Sequence, residues 1–287
     1  MVIFKTARPL TAFLADARAA SGPIGFVPTM GALHEGHLSL IRQSKAATGL
    51  TVCSIFVNPT QFNNADDLKH YPVTIESDIE MLIGAGCDVL FLPPVAEVYP
   101  AGHEKLRYDL GALEAVLEGA YRPGHFQGVC EVVDRLLEIV EPDHLFMGQK
   151  DFQQCLVIGR LLDLTNRAGR TALHVEPTLR EKDGLAMSSR NRRLTPADRA
   201  KAIRMSQVLV GIRDRFASTP PRTLEQTAIT ELTEAGFKVD YVSISNRHTL
   251  LPLEPGDPAA VALVAASLGP VRLIDNLVLD SSAPTAG

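Results

Sequence analysis

Apolar runs closed by turn residues alternate, through the first half of the chain, with segments whose apolar positions recur at the helical period. Ile24–Pro28 reads as a short buried strand and Leu38–Ala47 as the helix that follows it. Thr51–Val57 is a strand ended by Asn58-Pro59, Ile75–Ala85 a helix closed by Gly86, and Val89–Leu92 a strand ended by Pro93-Pro94. Val129–Val140 is a helix with Pro142 just beyond it, His144–Met147 a strand, and Gln153–Arg167 a helix. Strands that are apolar throughout, separated by amphipathic helices, predict a parallel sheet covered on both faces. No internal repeat is visible.

The rhythm changes after Val175-Glu176-Pro177. A polar, charged loop runs to Thr195-Pro196, which has the form of an N-cap followed by proline at the first helical position. Helices are expected at Ala197–Phe216 and Leu224–Ala235, then strands at Val239–Ile244, Val261–Ser267 and Val271–Leu279. An α/β domain over residues 1–176 and a smaller α+β domain over 177–287 follow from that shift. The small, polar tail 281–287 is expected to fray.

With 287 residues, 46% of them hydrophobic, the chain can bury a large core. A formal net charge of −5 gives it no broad electrostatic attraction to nucleic acid or to anionic membranes. No stretch approaches the roughly 20 continuous apolar residues of a membrane span, and the N-terminus lacks the pattern of a secretory signal. Cys53, Cys87, Cys130 and Cys155 form no CxxC pair and sit among apolar neighbours, so they read as reduced core thiols. A cytoplasmic protein is expected.

Chemistry-bearing residues cluster just past the predicted strands, where an open α/β sheet binds its ligands. Met30-Gly31-Ala32-Leu33-His34-Glu35-Gly36-His37 follows the first strand and opens a helix. A helix N-terminus there offers free N–H groups and a positive dipole end to a phosphate. His34 and His37 share a face at that spacing, and Gly36 lets a ligand approach the backbone. The zinc-protease pattern HExxH is one residue longer, so paired imidazoles on a phosphate-binding turn are the better reading. Asn58 and Gln61 lie past the second strand; asparagine before proline is also ordinary turn chemistry, which does not explain Gln61. Gly148-Gln149-Lys150-Asp151 again joins a strand to a helix, with Gln154 one turn on. Lys150 suits a transferring phosphoryl group and Asp151 suits ribose hydroxyls. The Met187-Ser188-Ser189-Arg190 stretch, with Leu179 before it, puts two hydroxyls and a guanidinium on the polar loop after Pro177, able to grip β- and γ-phosphates. No Walker A loop and no G-x-S-x-G elbow is present.

Pro28-Thr29-Met30-Gly31-Ala32-Leu33-His34-Glu35-Gly36-His37 resembles the HxGH signature of the nucleotidyltransferase superfamily, in the form used by pantothenate synthetases. Arg122-Pro123-Gly124-His125-Phe126-Gln127-Gly128-Val129 and Gly148-Gln149-Lys150-Asp151-Phe152-Gln153-Gln154 also resemble that family, with Gln149 where many members carry Glu. Met187-Ser188-Ser189-Arg190 is similar to the Lys-Met-Ser-Lys-Ser loop of class I synthetases, and Tyr71-Pro72-Val73-Thr74 departs from the family's Tyr-Pro-Arg-Thr at Val73.

The resemblance implies a Rossmann-like sheet domain with a C-terminal lid, in a homodimeric enzyme that joins pantoate to β-alanine at the expense of ATP. It implies a pantoyl-adenylate intermediate, with AMP and pyrophosphate released. Met30 to His37, Gly148 to Asp151, Leu179 and Met187 to Arg190 would bind ATP; Gln61 and Gln154 would hold pantoate. His37 is implied as proton donor, acting with His34, Lys150 and Arg190. Asp78 reads either as a Mg²⁺ ligand or as a solvated helix-face residue, and Arg122 faces either the active site or a dimer partner. The alternative is another HxGH-type adenylyltransferase.

Overall fold

A computed structural model describes residues 1–62, 68–254, 257 and 259–279; the tail expected to fray lies outside them. Strands β1 (Val2–Phe4), β2 (Ile24–Thr29), β3 (Leu50–Ile55), β4 (Val89–Phe91), β5 (His144–Gly148) and β6 (Ala172–Glu176) form one sheet in the order β1-β4-β3-β2-β5-β6. Every pairing in it is parallel. Successive side chains alternate between its faces. Val27, Cys53, Ile55, Leu90 and Phe146 pack with Leu40 and Ile41 of helix α2 (Glu35–Ala47) and Leu82 of α3 (Ile75–Gly84). Phe26, Val52, Phe91 and Leu145 pack on the opposite side with α1 (Ala7–Ser21), α4 (His125–Val140) and α5 (Phe152–Leu164). The α/β expectation therefore holds, with two elements added at the start of the chain. Strand β1 is three residues long and largely exposed, and α1 buries only Leu10 and Leu14, so neither leaves a strong pattern in the sequence.

The strand order reverses between β2 and β5. The loops leaving their carboxyl ends, at residues 30–34 and 149–151, flank that switch point, and the turn after β3 (Pro59–Gln61) lies on the same edge.

Beyond β6 the chain builds α6 (Pro196–Ala202), α7 (Arg204–Arg215) and α8 (Pro221–Glu234) over an antiparallel sheet of β7 (Lys238–Asn246), β8 (Ala260–Leu268) and β9 (Val271–Val278). Thr195 caps α6 as expected, its hydroxyl accepting from Asp198 N at 3.1 Å. The single helix expected over Ala197–Phe216 is instead two, with a break at Ile203. Ser206 Oγ donates to Ile203 O at 2.9 Å, so a side chain competes with the backbone for the carbonyl at the break. Alternate residues of β8 serve two cores. Ala260, Ala262, Val264 and Ala266 join the helices of this half, whereas Val261 and Leu263 meet Leu113, Leu117, Phe152 and Leu156 of the other half. A polar clasp reinforces the contact: Glu118 accepts two bonds from Arg272, at 2.8 and 2.6 Å, and one from Tyr241 OH at 2.9 Å.

Candidate active site

A cleft open to solvent lies across the switch point, walled on one side by residues 177–179 and 187–190. It begins at the N-terminus of α2. His34 is the N-cap: its Nδ1 accepts from Gly36 N at 3.2 Å, while His34 N donates to His37 Nδ1 at 3.3 Å. This reciprocal cap satisfies two helix-end donors and stacks the rings with centroids 4.1 Å apart. Gly36 is needed for a reason the sequence hid: a Cβ there would come within 2.9 Å of the His34 ring. Burial, with the charges of His37, Lys150 and Arg192, pulls His34 down to about 2. Burial likewise pulls His37 down to about 4, against Asp151 and Asp78. Both rings are neutral at neutral pH. Because each Nδ1 accepts a backbone N–H, each Nε2 carries the proton and is a neutral donor.

Asp78 is neither solvated nor turned toward the cleft. It is fully buried, and its carboxylate accepts from Ala32 N and Leu33 N, both at 2.9 Å, and from Thr74 Oγ1 at 3.0 Å. It holds the loop that delivers His34. Among the described residues no group of three or more His, Cys, Asp or Glu side chains converges on a possible metal. With Asp78 committed to backbone amides, the described residues do not make a dedicated Mg²⁺ cage.

Past β3, Asn58 is 1% exposed and acts as a bracket. Its Oδ1 accepts from Tyr99 OH at 2.9 Å, and its Nδ2 donates to Gly128 O at 3.0 Å and Gln61 Oε1 at 3.1 Å. Gln61 is thereby held at the cleft wall with Nε2 beside Met30 Sδ at 3.3 Å. Gly128, within α4, permits close approach of the turn after β3: a Cβ there would sit 2.4 Å from Thr60 O. Arg122 turns into the cleft, with NH1 3.1 Å from His125 Nε2. Lys150, Asp151 and Gln154 line the same space from the start of α5.

The far wall is Leu179 and Met187 to Arg190. Ser188 Oγ caps the short turn Ser189–Arg193 by accepting from Arg190 N at 3.3 Å. The Arg190 guanidinium lies 5.7 Å from the centroid of the buried Tyr71 ring. Arg192 reaches back to Leu33 O at 3.1 Å, tying this wall to the histidine loop. Val73, where the resembling family has Arg, is 68% exposed and lies outside the cleft lining.

Fourteen expected residues line the cleft: Met30, His34, Gly36, His37, Gln61 and Gly148, then Lys150, Asp151, Gln154, Leu179 and Met187 to Arg190. Gly31, Ala32, Leu33, Glu35 and Gln149 do not. Ala32 and Leu33 are fully buried, and Glu35 pairs with Arg42 at the surface. The sequence reading missed the apolar floor made by Val129, Val132, Val133 and Leu136 of α4. Their i, i+3, i+4, i+7 spacing reads as an ordinary core stripe, and no signal separates a core stripe that also faces a ligand. The combination of helix-end amides, neutral imidazole donors, cations and an apolar floor suits a nucleoside polyphosphate beside a small acid with branched carbons.

A family model for pantoate–β-alanine ligase matches residues 2–278. The chain belongs to the pantoate–β-alanine ligase family. It is therefore an enzyme, a ligase, and the match favours that reading over other HxGH adenylyltransferases. Pantothenate synthetase of Thioalkalivibrio sulfidiphilus is 46% identical over 279 residues, covering 96% of each chain. That of Dehalococcoides mccartyi is 44% identical over 265 residues, covering 91% of this chain and 98% of its own. The crystal structure of Thermus thermophilus pantothenate synthetase superposes with a TM-score of 0.91 at 39% identity, covering 98% of this chain and all of that one. A Francisella tularensis pantoate–β-alanine ligase, complexed with β-γ ATP and β-alanine, does so at 0.83 and 34% identity, covering 99% of this chain and all of its own.

Proposed function

We propose that the ligase works through a pantoyl adenylate made and consumed in this one cleft. A carboxylate cannot acylate an amine directly, because oxide is too poor a leaving group; AMP removes that obstacle. A pantoate carboxylate oxygen attacks the α-phosphorus of ATP, the P–O bond to the β-phosphate breaks, and pyrophosphate leaves with its electron pair. The amine of β-alanine then attacks the acyl carbon, the C–O bond to AMP breaks, and the new amide nitrogen gives up its proton to water. Pantothenate, AMP and pyrophosphate are the products.

Charge builds on the phosphates in the first step. The Nε2–H groups of His34 and His37, the Lys150 ammonium, the Ser188 and Ser189 hydroxyls and the Arg190 guanidinium are the donors to meet it. His37 serves as a neutral donor rather than as an imidazolium. Gln61 and Gln154 orient pantoate, whose paired methyl groups fit the Val129–Leu136 floor at about 0.8 kcal/mol per buried carbon. Much of the acceleration is positional. Mg²⁺ bound to ATP would add neutralisation of the phosphate charge to what these donors supply. The observation that carries the reading is the meeting, at the switch point, of two neutral imidazoles and the Lys150 and Arg190 cations around an apolar floor.

The test is pantoate-dependent exchange of labelled pyrophosphate into ATP without β-alanine. Exchange that needs β-alanine means a concerted reaction and removes the adenylate. We also read the enzyme as a cytoplasmic homodimer, the first from four free, buried thiols. Light scattering at micromolar concentration should give twice the chain mass, and a monomer overturns the second. The division into 1–176 and 177–287 is supported by apolar clusters that stay mostly on either side of it.

A further inference from the structure

Two consecutive residues of β9 hydrogen-bond to the segments that carry the two walls of the cleft. Asn276 is 2% exposed. Its Nδ2 donates to the carbonyls of Gln149 and Lys150, each at 2.9 Å, and its Oδ1 accepts from Gln149 Nε2 at 3.2 Å. Asp275 is 3% exposed and accepts the Arg180 guanidinium through both oxygens, at 2.7 and 3.0 Å. Arg180 also donates to Asn276 O at 3.2 Å and to Gly184 O at 3.1 Å. Arg180 bridges Ala186, and Met187 N donates to Leu179 O at 3.0 Å. Arg180 thus anchors the base of the loop that runs directly into Ser188, Ser189 and Arg190.

Lys150 sits in a three-residue 3₁₀ turn, and Gly148 before it provides no side-chain cap. The internal hydrogen bonds of such turns have poorer geometry than those of an α-helix. Both protons of one buried amide are spent on the two carbonyls of this turn. A bidentate arginine pair is directional as well as strong. Both anchors project from neighbouring positions of a strand paired along its length with β8.

We propose that Asp275 and Asn276 are positioning residues that set Lys150 and the Ser188–Arg190 wall against each other. The small C-terminal sheet is then part of the catalytic geometry and not only a cover. This rests on the reading of Lys150 as a phosphate-stabilising group. Removing the Asn276 amide takes the side-chain donor from two turn carbonyls, and the Lys150 ammonium moves off its place in the transition state. ATP remains gripped by the histidines and by Ser188 to Arg190, so turnover suffers more than binding.

The experiment is a double-mutant cycle read by pantoate-dependent pyrophosphate exchange at saturating ATP, with thermal melting as the folding control. Lys150→Ala alone should slow exchange about 10²–10³-fold. Asn276→Ala should slow it about 10- to 100-fold, the scale of a 1 Å misplacement, with the KM for ATP within about threefold of wild type. In the Lys150→Ala background, Asn276→Ala should cost less than about threefold more, because residues acting as one unit are not additive. If Asn276→Ala does not fold, the near-isosteric Asn276→Asp, which turns an acceptor toward the two carbonyls, takes its place with the same expectation. Equal losses in both backgrounds, or exchange within twofold of wild type for the single variant, overturn the positioning role while leaving Lys150 intact. Lys150→Ala within threefold of wild type overturns both.

Discussion

Replacing Asp78 by Ala separates the two readings of that residue. The side chain is fully buried and satisfies two backbone amides whose own residues, Ala32 and Leu33, are also fully buried. Deleting it strands both N–H groups, and each buried donor without a partner costs about 1–3 kcal/mol, so the pair costs about 2–6 kcal/mol. The Thr74 hydroxyl also loses its acceptor but lies nearer the surface, where water replaces it at little cost. For a chain of this size each kcal/mol moves the melting temperature by about 2–4 °C, which predicts a fall of roughly 4–24 °C. Asp78→Asn should fall less, since one oxygen remains to accept while its amide faces an N–H. Turnover should drop for both variants at temperatures where they are folded, because Leu33 leads directly into the His34 cap. Raising Mg²⁺ should not restore it. The measurements are differential scanning calorimetry and a Mg²⁺ titration of steady-state rate. A variant that melts with wild type and recovers its rate at high Mg²⁺ would refute the loop-holding role and return Asp78 to the metal.

Gln61→Ala and Gln154→Ala should raise the KM for pantoate by about tenfold to a hundredfold, the loss of one bond of about 1.5–3 kcal/mol to a charged group. Affinity for ATP should stay within about threefold; isothermal titration that finds equal losses for both ligands removes the assignment. Stability should fall as pH drops from 7 toward 4. Burial holds His37 and His125 near 4 in the folded state, against 6.5 when exposed, so the unfolded chain binds more protons in that window and is favoured by acid. His37→Asn, which keeps an acceptor for His34 N, should flatten the slope, and a melting temperature unchanged between pH 7 and pH 5 in the native enzyme contradicts the buried neutral rings.

Local pattern determined most of the sheet-and-helix framework. Strand cores such as Val89-Leu90-Phe91 are apolar on both faces, as a parallel strand covered on both sides requires. Motifs placed directly after strands were legible as ligand-binding for the same reason: in this fold the carboxyl edge is the only one where loops converge at a switch point. Individual side-chain roles depend on partners distant in sequence, and only the tertiary structure decided them. Asp78 lies 46 residues from Ala32, so nothing nearby reveals that it serves two backbone amides. The α4 stripe looks like core because it is core, and the cleft happens to open onto it. Asn276 stands 126 residues from Lys150 in a strand whose periodicity speaks only of packing. Hydrophobic burial is read from spacing because it is non-directional, whereas a hydrogen bond needs a specific atom at a specific angle, and that atom is supplied by whichever segment the fold brings alongside.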